Sequence, residues 1–308
     1  MGSGSLGLPT AGDVGIRAEQ QWKKLIYSSF GSDGLRILLM IFVAVCLFNA
    51  PAEADRLKFA KFVQNQSNLP GSYKRLRNSF DGLSAKRVHR FSIEGGECQS
   101  RAYGDGSGKG DCTFGSVRSM LREVHRNGRW DFAQPKEAWY GWDILIPSDY
   151  PTQGNQTRGS FIFAQWKGFV CPHAAIAHST DRTEPNHLYL RLQTVRGNPG
   201  NFDCRDVARI PLIRMGAFKG GWRNFQVYAR WSHGPDGRVV VFVDGRQLAD
   251  YRGPTLNQDP NGSHPKARTN HFSFGSYLCC TGGVQLIQPG TLYFANVKRA
   301  GSREALGQ

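Results

Sequence analysis

The sequence predicts an all-β protein built as a two-sheet sandwich or jelly roll. Three observations lead to this prediction: short strand-like segments recur from about residue 85, turn signals separate them, and no long stretch has helical periodicity. A sandwich of this kind buries one face of each strand and leaves the other face to solvent or to a ligand. The function therefore depends on which residues occupy that second face.

The predicted strands alternate apolar and polar residues and are bounded by turn-forming residues. They span 87–94, 138–146, 159–167, 186–196, 223–231, 238–244, 246–251, 270–278 and 290–299. Asp244-Gly245 is a two-residue hairpin signal, and Pro235-Asp236-Gly237 forms a turn before the same hairpin. Short helices are predicted only around Arg56–Gln64 and near Gly115–Val124.

Residues 36–54 have the composition of a signal peptide. The apolar run Ile37–Phe48 follows Arg36 and precedes Ala52-Glu53-Ala54, which has the pattern of a cleavage site. The run is shorter than the roughly 20 apolar residues that cross a bilayer, so we expect no stable membrane insertion after cleavage. The expected location is secreted or periplasmic.

The signal peptide sets the expected organisation of the rest of the chain. We expect an N-terminal extension at 1–35, which is disordered, a linker with a short helix at 55–84, the jelly-roll domain at 85–300 and a tail at 301–308. A single domain of this length has room for a sizeable core. The protein is expected to be a monomer.

The chain is strongly basic, with a formal net charge of +15. Residues 1–54 contain four basic and four acidic side chains, so residues 55–308 keep the whole excess. A field of this sign favours polyanionic partners: nucleic acid, an anionic membrane or an acidic polysaccharide. Export favours the anionic polysaccharide, and we expect no nucleic acid partner.

Six cysteines follow the predicted signal peptide, and an even number in an exported chain indicates disulfides. We predict the pairs Cys98–Cys112 and Cys171–Cys204. The adjacent Cys279 and Cys280 are left to pair with each other or elsewhere. No Cys-x-x-Cys pair is present, and the spacings of the histidines match no zinc pattern. We therefore expect no metal site and no cofactor, although the sequence leaves a calcium requirement open.

Four strands carry a polar face that is poor in carboxylates. These faces hold Arg90 and Ser92; Gln165 and Lys167; His187, Tyr189, Arg191 and Gln193; and His271, Ser273 and Tyr277. Each face by itself is compatible with an ordinary solvated surface. Together they suit a concave groove for an anionic sugar chain, because arginine binds carboxylates and aromatic rings pack on sugar rings. On the second of these strands, Ile162, Ala164 and Trp166 are expected to face the core.

The residue types in these faces favour elimination over hydrolysis. A glycosidase needs two carboxylates that flank the bond, and Glu94 and Asp143 are the best candidates on these strands. No G-x-S-x-G motif for a serine hydrolase occurs. Elimination at a uronic acid needs a group that neutralises the carboxylate, a base for the C5 proton and an acid for the O4 leaving group. Gln, Arg, Lys, His and Tyr can fill those positions.

Several short motifs occur in the order found in the heparin lyase I-like polysaccharide lyases, which the chain resembles over roughly residues 85–299. The motifs are Arg90-Phe91, Cys98, Asp111-Cys112, Arg118-Ser119, Trp139-Tyr140-Gly141-Trp142, Phe163-Ala164-Gln165-Trp166, Gly221-Trp222, Trp231-Ser232, Val243-Asp244-Gly245 and His271-Phe272-Ser273-Phe274-Gly275-Ser276-Tyr277. The resemblance extends to alginate and glucuronan lyases and implies a concanavalin-like jelly roll with a concave polar groove.

The resemblance also implies roles for individual residues. Gln165 would neutralise the uronate carboxylate, and Tyr277 would serve as the acid and as the base. Lys167 stands where the related enzymes have a histidine, and we include it among the catalytic residues, with His187 or His271 as a substitute for that histidine. The expected substrate-binding residues are Arg90, Arg118, His187, Tyr189, Arg191, Gln193 and His271.

The leading hypothesis is thus a secreted polysaccharide lyase that cleaves a uronic-acid-containing polysaccharide by β-elimination. Two alternatives have the same architecture. One is a non-catalytic, lectin-like jelly roll that binds the same polysaccharide, and the other is a glycoside hydrolase.

Overall fold

The fold comes from a computed structural model. It describes residues 59, 61–65, 69–77, 80–83, 85, 87–94, 98, 110–124, 135–151, 159–168, 171–179, 186–196, 203–257, 270–279 and 289–307. The predicted N-terminal extension and signal peptide lie outside these residues. Within the described ranges, no helix has both the length and the apolar character needed to cross a membrane.

Two antiparallel seven-stranded sheets face each other, as the sequence predicts. The front sheet has the order β1 (Lys61–Gln64), β4 (Val117–Val124), β13 (His271–Cys279), β6 (Ser160–Lys167), β7 (Pro172–Ser179), β8 (His187–Arg196), β9 (Asp203–Arg214). The back sheet has the order β12 (Arg246–Arg252), β11 (Arg238–Val243), β10 (Trp222–Arg230), β5 (Glu137–Leu145), β14 (Gly290–Ala300), β3 (Arg87–Ile93), β2 (Tyr73–Arg77). Helical structure in these ranges is limited to 3-10 turns at Asp111–Phe114 and Glu304–Leu306 and one α-helical turn, α1 (Met215–Phe218).

Aromatic side chains fill the space between the sheets. Trp142 of the back sheet stacks on Phe225 with ring centroids 5.3 Å apart, and Trp166 of the front sheet lies 5.2 Å from Phe272. Rings of this kind bury large areas and gain further stability from edge and stacked contacts. The core therefore fixes the positions of β6 and β13, and it does so through residues that alternate with the polar ones.

The nine predicted strands agree with the structure to within one residue at each end. Both predicted helices are wrong where the structure describes them: Lys61–Gln64 is strand β1, and Val117–Val124 is strand β4. Val117–Val124 is buried on both faces and has no clear period, so helix and strand cannot be distinguished by pattern there. The segment 55–84, predicted as a linker, contains β1 and β2.

Three further strands were not predicted: β2, β7 and β9. The sequence of β7 is rich in alanine, which has low strand propensity, and both faces of the strand are buried. Strand β9 contains Pro211, and it lies at the edge of the front sheet, where a missing backbone N–H is tolerated. Neither strand has a pattern that distinguishes it from a loop.

A β-bulge changes which face of β6 each residue occupies. The pairing of β13 with β6 shifts between Phe274 and Tyr277, and the pairing of β6 with β7 shifts after Ile162. As a result Ile162 packs with Tyr277 on the outer face, whereas Ala164 and Trp166 face the core. The expectation that Ile162 faces the core is therefore wrong, because strict alternation fails across the bulge.

The C-terminal segment packs against the sandwich. Leu306 is fully buried, and its carbonyl oxygen accepts a hydrogen bond from Lys298 Nζ at 2.8 Å. Arg303 donates to Gln226 Oε1 at 2.6 Å. The residues predicted as a tail thus belong, up to Gly307, to the ordered β domain.

Candidate active site

The outer face of the front sheet carries a row of polar side chains that runs across six strands. Directly paired residues place them in the order Arg122 (β4), Ser273 (β13), Gln165 (β6), Ala175 (β7), Arg191 (β8), Arg209 (β9). Opposite residues in neighbouring antiparallel strands have Cβ atoms about 5 Å apart. Arginines therefore stand at both ends of a line whose centre holds an amide and a hydroxyl.

The centre of this row contains buried polar atoms whose hydrogen-bonding capacity is unused. Gln165 and Ser273 are each only 1% exposed. Neither Gln165 Oε1 nor Ser273 Oγ has a hydrogen-bond partner among the described residues, and the Gln165 amide nitrogen reaches only Met120 Sδ at 3.8 Å. The side chain of Asn270, just before β13, is buried with both polar atoms unpartnered in the same part of the chain. Buried groups of this kind are rare and point to a site that a ligand completes.

Tyr277 lies beside the row, four residues after Ser273 on β13 and beyond the bulge that follows Phe274. Arg118 is its direct partner on β4, and the guanidinium carbon lies 4.0 Å from the centre of the Tyr277 ring. Arg118 is itself held by Asp111 in a bidentate pair, with Nε 2.6 Å from Oδ2, and both side chains are buried. The ring also contacts Met120 and Ile162. The tyrosine is thus fixed by a stacked cation and an apolar floor.

Lys167 and His271 face each other on the opposite side of the row. They are direct partners between β6 and β13. Burial lowers the pKa of His271 well below its usual value of 6.5, and the charges of Arg122 and Lys167 lower it further, as does His173. His271 is therefore neutral at physiological pH, while Lys167 is half-buried.

Strand β8 presents the polar face that the sequence predicts, since Leu188, Leu190 and Leu192 are fully buried in the core. The outward residues are tied to β9. Arg191 Nη2 pairs with Asp206 Oδ1 at 3.0 Å, and Gln193 Nε2 donates to the same oxygen at 3.0 Å.

The aromatic residues of this face have partners of their own. Tyr189 stacks under Arg209, with 4.2 Å between the guanidinium carbon and the ring centroid. His187 lies at the end of the strand, 6.1 Å from Tyr189 between ring centroids. The outer face of β8 and β9 (the β8–β9 wall) is therefore cationic and aromatic, with Asp206 as the carboxylate that pairs with Arg191 and Gln193.

The structure does not bring Arg90 to this site. Strand β3 belongs to the back sheet, and Arg90 lies on its outer face beside Tyr293, so the prediction that four polar faces form one groove is wrong for β3. Glu94 and Asp143 are also on the back sheet, where Asp143 accepts hydrogen bonds from Asn224 and Asn296 at 2.8 and 2.7 Å. The carboxylates proposed for a hydrolase thus do not lie on the sheet that carries Gln165.

Sequence reasoning missed Arg122, Arg209 and Asp111. Arg122 follows Arg118 and Met120 at alternate positions, and this period of two would have placed it on the groove face if β4 had been recognised as a strand. Burial lowers the pKa of Arg122, with a further contribution from Arg118. The usual pKa of an arginine is so high that Arg122 nevertheless remains a cation.

Both predicted disulfides are confirmed. Cys98–Cys112 has a Cα separation of 5.2 Å, and Cys171–Cys204 one of 5.7 Å. The second bridge ties the start of β7 to β9 and so supports the β8–β9 wall. Cys279 is also disulfide-bonded. Disulfides of this kind are typical of extracellular or periplasmic proteins.

In the described part of the chain, no group of three or more His, Cys, Asp or Glu side chains could hold a metal ion. His173 and His178 have structural partners: the backbone N–H of Asn257 donates to His173 Nδ1 at 2.9 Å, and His178 Nδ1 lies 2.9 Å from the carbonyl oxygen of His187. The outer face of the front sheet thus provides positive charge, hydrogen-bonding groups and the phenol of Tyr277 for a reaction at a bound anion.

The chain is similar to known polysaccharide lyases. A family model described as polysaccharide lyase matches residues 64–298. No curated protein matches the chain. Similar solved structures include an endo-β-1,4-glucuronan lyase from the fungus Trichoderma reesei (14% identity, TM-score 0.49, 78% of this chain and 95% of that one), the alginate lyase AlgAT5 of Polysaccharide Lyase family 7 (13%, 0.42, 76% and 84%) and the alginate lyase AlyA1 from Zobellia galactanivorans (13%, 0.40, 77% and 96%). Since the family model covers most of the chain, the protein belongs to the polysaccharide lyase family.

Proposed function

We propose that the groove of the front sheet binds a uronic-acid-containing polysaccharide and cleaves it by β-elimination. The observation that carries this proposal is the row Arg122, Ser273 and Gln165, in which buried polar atoms of the last two lack partners. A carboxylate seated there would receive hydrogen bonds from neutral groups and charge from Arg122. The family supports the reaction type, and the net charge of +15 supports the anionic substrate.

Gln165 and Arg122 would stabilise the charge that develops on the carboxylate as the C5–H bond breaks. Rotation of the Gln165 amide about its terminal bond turns its NH2 group to the place where Oε1 now lacks a partner. Donors that are already fixed before the reaction stabilise a transition-state charge most effectively. The core behind β6 and β13 supplies that rigidity.

Tyr277 would transfer the proton. In the reaction the C5–H bond breaks, its electron pair forms the C4=C5 double bond, the C4–O bond breaks, and the oxygen that leaves takes up a proton. The Tyr277 oxygen accepts the first proton as phenolate and donates a proton to O4. One group can do both where the two atoms lie on the same side of the ring, so we expect syn elimination. Arg118, whose guanidinium stacks on the ring, would stabilise negative charge that develops on the phenol oxygen.

Lys167 and His271 would bind the neighbouring sugar. His271 lies six residues before Tyr277 on β13, so the Lys167–His271 pair lies further from Tyr277 along the strands than the Gln165–Ser273 pair does. The Lys167–His271 pair is therefore better placed for the neighbouring sugar than for the C5–C4 bond beside Tyr277. In this proposal, therefore, Lys167 recognises the carboxylate of the next sugar and does not transfer the proton.

The reaction is tested by incubation of the chain with polyglucuronate, alginate and heparin, the last because of the resemblance to heparin lyase I-like enzymes. Ultraviolet absorbance of an unsaturated uronate supports elimination. New reducing ends without that absorbance would identify a hydrolase, and binding without either product would identify a lectin-like protein. The two disulfides and the predicted signal peptide support a secreted or periplasmic enzyme.

Tyr277→Phe tests the catalytic assignment. We expect kcat to fall about 10²- to 10⁴-fold, the usual contribution of a positioned acid or base, while polysaccharide binding is retained. Tyr228→Phe is the matched control, because Tyr228 lies on the back sheet and bonds Glu137. Lys167→Ala should raise KM more than it lowers kcat. Near-normal turnover by Tyr277→Phe would show that another group transfers the proton.

A further inference from the structure

The back sheet carries a second cationic surface, on the ribbon of β2 and β3. The basic ribbon comprises Lys74, Arg75, Arg77, Arg87 and Arg90. Two cross-strand pairs place cations opposite each other: Lys74 with Arg90 on the outer face, and Arg77 with Arg87 on the face that carries Tyr73 and His89. Like charges directly opposite each other in a sheet destabilise it. Such an arrangement therefore needs a reason other than stability.

Seven arginines elsewhere in the described part of the chain are paired with carboxylates. Salt bridges join Arg118 to Asp111, Arg191 to Asp206, Arg223 to Asp244, Arg230 to Glu137, Arg238 and Arg252 to Asp250, and Arg299 to Glu123. None of the five cations of the basic ribbon forms a salt bridge within the described ranges. The ribbon thus carries positive charge that no carboxylate of the described residues pairs with.

Protection of a sheet edge does not account for these charges. Lysine and arginine on an edge strand do prevent pairing with another chain, and β2 is an edge strand. Strand β3, however, pairs with β2 on one side and β14 on the other, so it has no free edge. Arg87 and Arg90 therefore serve no such purpose.

Lys74 and Arg90 line a cavity of about 300 Å³ on the outer face of the back sheet, with Ser72, Ser92, Glu94 and the turn at Leu69–Gly71. The volume is at the lower end of the range for small-molecule sites. The two hydroxyls are engaged inside the protein, Ser72 Oγ with the Leu69 carbonyl oxygen and Ser92 Oγ with Thr291 Oγ1. Lys74 and Arg90 are left as the groups that a ligand would meet, with Glu94 as a single carboxylate at the rim.

An aromatic ring adjoins the cavity residues. Tyr293 of β14 is the direct partner of Arg90, so Lys74, Arg90 and Tyr293 form a row across three strands. The Tyr293 ring is half-buried and packs on Phe80 with 4.3 Å between centroids. Two cations beside an aromatic ring match one anionic sugar: a carboxylate or sulfate for the charges and a sugar face for the ring.

We propose that the outer face of the basic ribbon, with Lys74, Arg90 and Tyr293, is an exosite for a second segment of the anionic polysaccharide, with one acidic group seated between Lys74 and Arg90. The proposal rests on the proposed function for the identity of the polymer. Because the exosite and the groove lie on opposite sheets, a short oligosaccharide in the groove cannot reach the exosite. A long polymer, or a second chain, can. The exosite would hold the enzyme on its polymer and leave the chemistry unchanged.

The test combines a binding arm with a turnover arm. The binding arm measures the Kd of long polyglucuronate or alginate for the Tyr277→Phe protein with and without Lys74→Gln/Arg90→Gln. We expect affinity to fall about 5- to 30-fold, as for the loss of two exposed charge contacts. The turnover arm measures kcat/KM on a short oligosaccharide in the active protein, which should be unchanged by the same pair of substitutions.

Arg246→Gln/Arg252→Gln on β12 is the control, because it removes two exposed charges from the other edge of the same sheet, of which Arg252 lies 3.9 Å from Asp250. Equal loss of affinity in this control, unchanged affinity in the exosite variant, or an equal loss of turnover on oligosaccharides would each overturn the proposal. The Kd of Lys74→Glu, a single exposed substitution that neutralises the pair, gives a second measure if the double variant unfolds. If no polymer is cleaved, the proposed function fails, yet the binding arm still decides the exosite.

Discussion

At the scale of single residues, the molecule keeps two histidines neutral by burial beside cations. Burial lowers the pKa of His89 to about 4, assisted by Arg75 and Arg87, and burial lowers that of His271 well below 6.5. Tyr73 Oη lies 3.0 Å from His89 Nδ1, so the neutral ring is also hydrogen-bonded. The folded state thus resists protonation at positions where the unfolded chain accepts it.

This difference predicts loss of stability in acid. Between about pH 6.5 and 4 the unfolded chain protonates His89 and the folded protein does not, so the free energy of unfolding falls as the pH drops. The slope from one such histidine reaches about 1.4 kcal/mol per pH unit. Denaturant titrations across this range should show the fall, and His89→Gln should reduce it. His233→Gln, at an exposed position, is the control; a curve that stays flat for the wild type would contradict the argument.

At the scale of secondary structure, strand recognition decided how much of the site could be predicted. Gln165, Tyr277 and His271 were placed correctly on outward faces because β6 and β13 alternate clearly around buried aromatic residues. Arg122 was missed because Val117–Val124 is buried on both faces and has no clear period. Arg90 was misplaced because alternation assigns a face of a strand and does not assign the sheet to which the strand belongs.

The bulge in β13 depends on one glycine. Gly275 has φ of +141°, and a Cβ at this position would lie 2.3 Å from the Ser119 carbonyl oxygen and 2.8 Å from Met120 Cα. Both contacts are with backbone, so neither can give way as a flexible side chain would. The bulge sets the register between Tyr277 and Gln165, and thus the spacing of the proposed acid–base group and the carboxylate site.

Gly275→Ala should therefore destabilise the protein by about 3 kcal/mol or more, through backbone strain and steric overlap. Gly216→Ala in α1 is the matched control, since a Cβ there meets nothing within 4 Å and φ is ordinary; it should be neutral or slightly stabilising. Chemical denaturation of the three proteins compares the free energies of unfolding. Equal stability of the two variants would show that the bulge can relax.

At the scale of the whole molecule, the sandwich separates two basic surfaces. The front sheet combines Arg122, Lys167 and the β8–β9 wall around a partly unsatisfied centre, and the back sheet carries the basic ribbon. Both surfaces bind, in this proposal, the same kind of polymer. Sequence composition predicts the sign of this field, but only the pairing of strands shows that it is divided between two sheets.

Such a field predicts that salt weakens polymer binding more than oligosaccharide binding. The Debye length shrinks from about 30 Å at 10 mM salt to about 8 Å at 150 mM, so charges distant from a bound sugar contribute only at low salt. A long polyuronate meets both surfaces and should lose affinity steeply with salt, whereas a short one meets only the groove. Titration calorimetry of Tyr277→Phe with both ligands gives the two slopes, and a neutral glucan is the control. In Lys74→Gln/Arg90→Gln the polymer slope should approach that of the oligosaccharide, and equal slopes already in the Tyr277→Phe protein would exclude a contribution from the back sheet.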